Sequence, residues 1–397
     1  MTSRDADSLI LVLNCGSSSI KFALFDARDT PLSRTPAWQG KVEGITGPAP
    51  GFSQSGAARE TLSLDPARPY HDALAHLRRR IVARLEGRRI VAIAHRVVHG
   101  GSKYFVPVRI DAAVLADLQG YIPLAPLHQP FALEAIAALL AELPRLPQVA
   151  CFDTAFHQSM PTVEKMLPLP RAVWDQGLRR YGFHGLSYAY QSQVLGERYG
   201  DAARGRTIVA HLGSGASLCA MQNLQSVATT MGFSALDGLM MGTRCGALDP
   251  GAVIYLMQIG KLSLERVGHM LYHESGLLGV SGVSDDPRVL LPREHEAPVR
   301  EALALYVRSI VRELGALTAT LGGLDMLAFT AGIGEHNAVI RERVCTGLGF
   351  LGVAIDPVAN AADAPVISSA SSKVRVVVEP TNEEWVAATA ALPLLAR

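Results

Sequence analysis

Two short segments lying 197 positions apart constrain this chain more than anything else in it. Asn14-Cys15-Gly16-Ser17-Ser18-Ser19 separates two apolar, β-rich runs, Leu9–Leu13 and Ile20–Phe25. In the second half, Gly213-Ser214-Gly215-Ala216-Ser217 separates the run Thr207–Leu212 from Leu218–Met221. Laying NCGSSSIKFAL over HLGSGASLCAM matches Gly16 to Gly213, with strand, tight loop and following strand in both places. Gly-Ser turns are common, so one pair of loops does not prove a duplication. The shared pattern is nonetheless what a single duplicated αβ domain leaves behind, rather than the 20–50-residue period of a solenoid.

The remaining pattern alternates strands with helices. Helical spacing appears at Asp72–Glu86, with Leu74, Leu77, Ile81, Val82 and Leu85 on one face, and again at Pro130–Leu143. Ile90–Ala94 and Val149–Phe152 are short apolar strands that deliver His95-Arg96 and Asp153 at their ends. Asp249-Pro250 caps a helix over Gly251–Ile259, and Ala297–Leu321 is a long amphipathic helix stopped by Gly322-Gly323. Met326–Thr330 is a strand running into the Gly-rich loop Gly332–Gly334, followed by a helical pattern from Asn337. Gly44–Glu60 and Pro357–Ser372 read as loops, Val374–Val378 as a strand and Asn382–Leu395 as a helix. The class is α/β.

Composition removes several functions. Lys+Arg total 37 against 36 Asp+Glu, a formal charge of +1, which argues against broad electrostatic binding to nucleic acid or an anionic membrane. A hydrophobic content of 49% excludes a disordered chain. Cys15, Cys151, Cys219, Cys245 and Cys345 are scattered and never form a CxxC pair, as reduced thiols of a cytoplasmic protein would be. The run Leu9–Leu13 is too short for a signal peptide, and no stretch approaches the roughly 20 apolar residues of a membrane span.

Three Gly-containing loops follow strands: Gly16–Ser19, Gly213–Ser217 and Gly332–Gly334. Each alone is an ordinary turn. Together they suit a nucleotide cleft between two domains, because glycine admits an anion to the backbone and serine hydroxyls donate to phosphate. No GxxxxGK[ST] occurs, but strand alternation lets Lys21 point back towards a phosphate. Gly347-Leu-Gly349-Phe-Leu-Gly352 matches the dinucleotide fingerprint, yet it follows a helical pattern instead of a strand and is a turn. Arg96 in HRVVHGG and Arg244 in GLMMGTRCGALDPG sit among Val97, Val98, Met240 and Met241, where a partly buried guanidinium grips a carboxylate or phosphate. Asp153 either caps a turn or holds a metal or catalytic contact. Spacing does not single out His128, His184 or His211 among twelve histidines. Mg²⁺ bound with phosphate needs one or two carboxylates, and Glu383 is a candidate.

Taken together, the motifs resemble the acetate kinase family, with its propionate and butyrate kinase relatives. The similarity covers LVLNCGSSSIKF, HRVVHGG, PLAPLH, FDTAFHQSMP, RRYGFHGLSY, HLGSGASL, GLMMGTRCGALDPG, SGVSDDPR, AGIGEH and PTNEE in order. The resemblance implies the duplicated, actin-like fold of acetate and sugar kinases with ATP in the interdomain cleft, residues 1–152 plus 384–397 forming one domain and 153–383 the other. It implies that Asn14 and Glu383 associate with Mg²⁺ (Mn²⁺ being the other divalent ion), and that Lys21 contacts ATP. It assigns Arg96 to substrate binding, Asp153 to an acidic catalytic role, and His184 with Arg244 to the transition state. His211, Leu212, Gly213, Ser214 and Gly215 correspond to nucleotide-binding positions. So do Asp286, Pro287 and Arg288, and Gly332, Ile333, Gly334, Glu335 and His336. Val98, Leu127 and Phe183 fall in the small acyl pocket. Acetate, ATP/ADP and acetyl phosphate are the implied ligands, and a homodimer the implied assembly.

The chemistry explains the arginines. A carboxylate and the γ-phosphate of ATP are both anions, and two unit charges 4 Å apart repel by about 4 kcal/mol at an effective dielectric near 20. Charge neutralisation and in-line positioning are what such a transfer needs. The acetate nucleophile is already deprotonated, so Asp153 is expected to orient metal-bound water or an arginine. Three positions depart from the family pattern: Ser214 and His336 stand where Asn is common, and Ala235 where Pro is. The smaller Ala235 predicts relaxed discrimination between acetate and propionate, which is the alternative substrate. A chaperone or filament protein on the same scaffold would lack Arg96, Arg244 and the acyl pocket, and a nicotinamide dehydrogenase would rest on the 347–352 turn alone.

Overall fold

The computed structural model describes residues 8–126 and 128–395. The chain divides into two compact units at Ala155/Phe156 and at Thr381/Asn382. Sequence boundaries at 152/153 and 383/384 would assign Asp153 and Glu383 to the second unit. In the structure both pack with Arg96 in the first.

In the first unit, β1 (Ser8–Cys15) and β2 (Ser19–Asp26) pair antiparallel, and the turn closes when the Gly16 amide donates to Ser19 O at 2.8 Å. β3 (Trp38–Glu43), β4 (Gly51–Gln54) and β5 (Glu60–Thr61) continue the sheet antiparallel on one side. On the other, β6 (Arg89–Val97) runs parallel to β1, β8 (Gln148–Phe152) runs parallel to β6, and β7 (Val108–Arg109) closes the edge. The segment Gly44–Glu60 is therefore not all loop. Its Gly, Ser and Gln residues hide an outlying strand in which Phe52 alone is a large apolar residue, buried and stacked on Phe22. The helix Glu383–Ala391 lies against β1 and β6, pinned where Trp385 Nε1 donates to Leu32 O (3.0 Å) and Asn382 Nδ2 to Arg34 O (2.8 Å). It gives way to a 3₁₀ turn at Leu392–Leu394 instead of continuing to Leu395, because Pro393 has no N–H to offer the helix ladder.

The second unit repeats the scheme. β9 (Arg206–Leu212), β10 (Ala216–Gln222) and β11 (Gln225–Thr229) form an antiparallel meander, with β12 (Met326–Thr330) and β13 (Arg375–Val378) added parallel to β9. The order β11-β10-β9-β12-β13 matches β3-β2-β1-β6-β8 in sequence of neighbours and in strand sense. The duplicated actin-like fold is thus present in both sheets. The loops differ by one residue: Cys15 pairs with Ile20, but Leu212 pairs with Ala216. The sequence overlay therefore slips by one after the turn, and Lys21 corresponds to Ser217.

The helix Ala297–Leu321 follows its apolar spacing, burying Val299, Leu303, Tyr306, Ile310, Leu314 and Leu317, and stops at Gly322 with φ of 72°. Gly332–Gly334 is no loop. β12 turns at once into the short helix Ala331–His336, and Asn337 caps the next, Ala338–Gly347. The Gly347–Gly352 segment is a turn, ending at Gly352 with φ of 82°. Pro357–Ser372 holds a short helix, Pro357–Ala361, capped by Asp356, and β-bridges at Ile355/Ser368 and Val366/Val377. All five cysteines are free.

Candidate active site

The chemistry gathers at the ends of the parallel strands, and the first unit builds its part from charge. Arg96, near the end of β6, donates from Nε to Asp153 Oδ1 at 3.1 Å and from Nη2 to Asp153 Oδ2, a two-pronged grip. Its Nη1 donates to Asn14 Oδ1 at 3.1 Å, and Glu383 Oε2 lies 3.7 Å from Nε. Asn14 and Lys21 face each other across β1 and β2, on one face of the sheet. Asp153 is 1% exposed. Burial pushes its carboxyl up against the opposing pull of Arg96. Burial also lifts Glu383 to about 7, with Asp153 and Glu384 adding to the rise and Arg96 and Lys21 opposing it. Three carboxylates thus surround two cations. Asp153 does not merely cap a turn: it fixes a guanidinium.

The second unit builds its part from imidazoles, hydroxyls and a turn. His184 precedes the helix Gly185–Tyr199 in a left-handed conformation, φ of 59°, which costs a non-glycine residue about 1–3 kcal/mol. Its ring stacks on His211 at 4.1 Å between centroids and 17° between planes. His184 Nδ1 meets Ser217 Oγ and His211 Nδ1 meets Ser187 Oγ, each at 2.8 Å. Gly215 leaves both side chains close to the backbone: a Cβ there would stand 3.3 Å from His184 Nε2 and 3.4 Å from Arg244 Nη2. Both side chains therefore converge on the Gly213-Ser214-Gly215 turn that follows Leu212. Arg244 Nη1 donates to Ala235 O at 2.8 Å.

Thr330 pairs with His211 in the sheet, so the Gly332–His336 helix starts at the same end as that turn. Glu335 Oε1 accepts from the amides of Ala331 (2.7 Å) and Thr381 (3.1 Å), steadying Ala331 at its φ of 65°. Arg341, fully buried, donates to the carbonyls of Gly334 and Glu335 at 2.9 and 2.8 Å. His336 is exposed beside Glu335 and Asp363, and Gly332 and Ile333 lie in the helix's first turn. Asp286 caps a short helix beginning at Pro287 and pairs with the exposed Arg288. The neighbouring Asp285 O lies 3.1 Å from where a Gly242 Cβ would sit, which links that segment to the Arg244 loop.

Val98 in the first unit and Phe183 in the second are buried, and Phe183 O bonds to His157 Nε2 at 2.9 Å. Leu127 lies outside the described residues, and His128 directly precedes the helix Gln129–Glu142. Sequence reasoning missed Ser187, Tyr188, Ser217, Thr381 and Arg341. Ser187 and Tyr188 stand three and four places after His184, one helical face, and that spacing was the available signal. Ser217 needed the strand register.

Among the described residues no group of three or more His, Cys, Asp or Glu side chains forms a metal cage. A Mg²⁺ carried by phosphate needs only one or two protein oxygens. Asn14 and Glu383 fit that need, because the carboxylate excess around Glu383 is what a divalent cation would neutralise. No helix of the described residues is long and apolar enough to cross a membrane.

Comparison with known proteins agrees with this arrangement. The model of the acetokinase family matches residues 9–389. An acetate kinase of Rhodopseudomonas palustris is 49% identical over 382 residues, covering 95% of this chain and 96% of that one. One from Methylocella silvestris is 45% identical over 97% of this chain and 98% of its own. Among solved structures, the Porphyromonas gingivalis acetate kinase superposes with a TM-score of 0.85 at 36% identity, covering 98% of this chain and 100% of that one. A Francisella tularensis propionate kinase gives 0.89 at 35% identity, with 96% and 98% covered. With its fold, its motifs and nearly its whole length accounted for, the chain belongs to the acetokinase family.

Proposed function

We propose that the protein transfers the γ-phosphoryl group of ATP to acetate, reversibly and by direct in-line displacement, giving acetyl phosphate and ADP. The observation that carries this reading is the Arg96 guanidinium, held two-pronged by Asp153 and tied to Asn14. A cation fixed in that way is pre-organised to hold a small carboxylate, and needs no proton abstraction because acetate is already ionised. Asp153 acts through Arg96. His184 and Arg244, converging on the Gly213–Gly215 turn, offer N–H donors to charge that develops on the transferred phosphoryl group. The turn, the Asp286–Arg288 segment and the Gly332–His336 helix hold the nucleotide, with Lys21 adding a charge. Mg²⁺ associated with Asn14 and Glu383 supplies neutralisation of the phosphate oxygens. The acyl-pocket roles that the family resemblance implies for Val98 and Phe183 are part of this proposal.

The protein acts as a cytoplasmic homodimer in this reading. Supporting it, the helix Pro250–Gln258 buries no residue, and Ile254, Tyr255, Ile259 and Leu264 are 54–66% exposed. Large apolar side chains exposed on two neighbouring helices suit an association site.

Hydroxylamine trapping tests the activity. ATP, Mg²⁺ and acetate should yield acetyl hydroxamate at a higher kcat/KM than propionate or butyrate yields its own product. A chain that turns over ATP without any trapped acyl phosphate would sink the assignment.

A further inference from the structure

Behind each of the stacked histidines stands a chain of two hydroxyls. Ser217 Oγ lies 2.8 Å from His184 Nδ1 and 2.5 Å from the Tyr188 hydroxyl. Ser187 Oγ lies 2.8 Å from His211 Nδ1 and accepts from Thr381 Oγ1 at 2.9 Å. Tyr188, Ser187 and Ser217 are fully buried. A buried hydroxyl must place its proton on an acceptor. The Tyr188 hydroxyl bonds to Ser217 Oγ, so the phenol donates, and the Ser217 proton is left for His184 Nδ1. By the same accounting Thr381 donates to Ser187, and Ser187 to His211 Nδ1. A ring nitrogen that accepts carries no hydrogen, so each neutral imidazole keeps its proton on Nε2. The stacking agrees, since two imidazolium rings 4.1 Å apart would repel.

Both Nε2 atoms face the glycine turn. His184 Nε2 is 3.3 Å from the Cβ position of Gly215, and His211 Nε2 is 3.7 Å from that of Gly213. We infer that Ser217 with Tyr188, and Ser187 with Thr381, are positioning residues that lock His184 and His211 as Nε2–H donors aimed at the phosphoryl group being transferred. The catalytic consequence rests on the proposed function. The tautomer assignment does not.

The test uses the full-length chain labelled with ¹⁵N-histidine, without ligand and at pH 8, with long-range ¹H–¹⁵N correlation spectra assigned through His184→Gln and His211→Gln. Both rings should show protonated Nε2 and bare Nδ1. In Ser217→Ala the single-tautomer pattern of His184 should be lost. Its kcat should fall about 10-fold or more while KM for ATP and acetate moves less than about two-fold, as for a donor used in the transition state. Ser187→Ala should do the same to the His211 signals. Tyr188→Phe, which keeps the ring volume and serves if Ser217→Ala fails to fold, should give a smaller fall in kcat with the same split. A wild-type His184 protonated on Nδ1 overturns the assignment, as does Ser217→Ala or Tyr188→Phe with tautomer and kcat both unchanged. If no acyl phosphate forms in wild type, the functional reading fails while the spectra still decide the tautomer.

Discussion

At four matching positions the two sheets carry opposite chemistries. The first unit has Asn14, Lys21, Arg96 and Asp153 where the second has His211, Ser217, Thr330 and Thr381. The backbone scaffold is shared, so the difference lies in what each end must hold. A single small carboxylate calls for one fixed positive charge, and the first unit supplies a guanidinium clamped by a buried carboxylate. In the proposed reaction a phosphate chain presents many oxygens, and the second unit offers it imidazole donors and a single guanidinium, Arg244, around a tight turn beside a short helix. The frame is shared, and in the proposed reaction four side-chain positions separate the tasks.

The most damaging way to probe this contrast is to make the same kind of change at one matched position in each sheet. Asp153→Asn removes the carboxylate that grips Arg96 two-pronged and leaves only Glu383, 3.7 Å away, in a buried site where breaking a pair costs about 3–5 kcal/mol. The fall in kcat/KM for acetate should accordingly be roughly 10²–10⁴-fold. Thr381→Ala removes a neutral hydrogen bond worth about 0.5–1.5 kcal/mol, a loss of roughly 2–10-fold. Steady-state kinetics on both variants decides the matter: equal losses would mean that the charged and neutral ends are not doing different jobs.

Both units also bury imidazoles that resist protonation. Burial holds His95 and His99 in the first unit, and His157 in the second, down at about 4. The unfolded chain takes up protons at these rings from about pH 6.5, while the folded chain resists until about 4. Their stabilising contribution is complete above pH 6.5 and is lost as pH falls towards 4, by roughly 3 kcal/mol per ring. With such rings in both units, acid should loosen the chain between about pH 6.5 and 4, read as tryptophan fluorescence from the buried Trp38 and Trp385 and as helical circular dichroism. Both signals unchanged down to pH 4 would show that these rings add nothing to stability.

Much of this organisation was legible in the sequence because it rests on local rules. Asp249-Pro250 capped its helix, Gly322 ended the longest one, and β12 ran from Met326 to Thr330 as its apolar pattern demanded. The failures share a cause. The strand Gly51–Gln54 has too little apolar character to declare itself, and becomes a strand because β3 offers it hydrogen bonds. The one-residue difference between the two turns is a matter of register, visible only once β1 pairs with β2 and β9 with β10. Arg96 and Arg244 announced themselves through the apolar residues around them, but Ser217 and Thr381 look like any hydroxyl residue until tertiary pairing gives them a histidine or serine neighbour.

Surface composition extends the contrast and gives a smaller effect. The large exposed apolar side chains of the first unit are Val82, Val106 and Leu143, whereas the second exposes Ile254, Tyr255, Ile259 and Leu264 on one stretch. If the proposed homodimer uses this stretch, a double substitution, Tyr255→Glu with Ile259→Asp, should leave only monomer in sedimentation velocity at micromolar concentration. Turnover per chain should change by no more than about two-fold, because substitutions at exposed positions usually cost under about 0.5 kcal/mol. A variant that remained dimeric would move the interface elsewhere.

The smallest effect concerns chain length, and it isolates volume from charge within the second unit. Ala235 presents its backbone carbonyl to Arg244, so a substitution that keeps the carbonyl leaves that anchor in place while changing the bulk beside it. A methylene accommodated or excluded in an apolar pocket is worth roughly 1–3 kcal/mol. With Ala235 the kcat/KM ratio of acetate to propionate should therefore stay below about 10, and Ala235→Pro should raise it by about three- to ten-fold through slower use of propionate alone. If the substitution slowed both acids equally, position 235 would be acting through Arg244 and the charge it carries. Position 235 would then belong with the guanidinium it anchors and not with the acyl pocket.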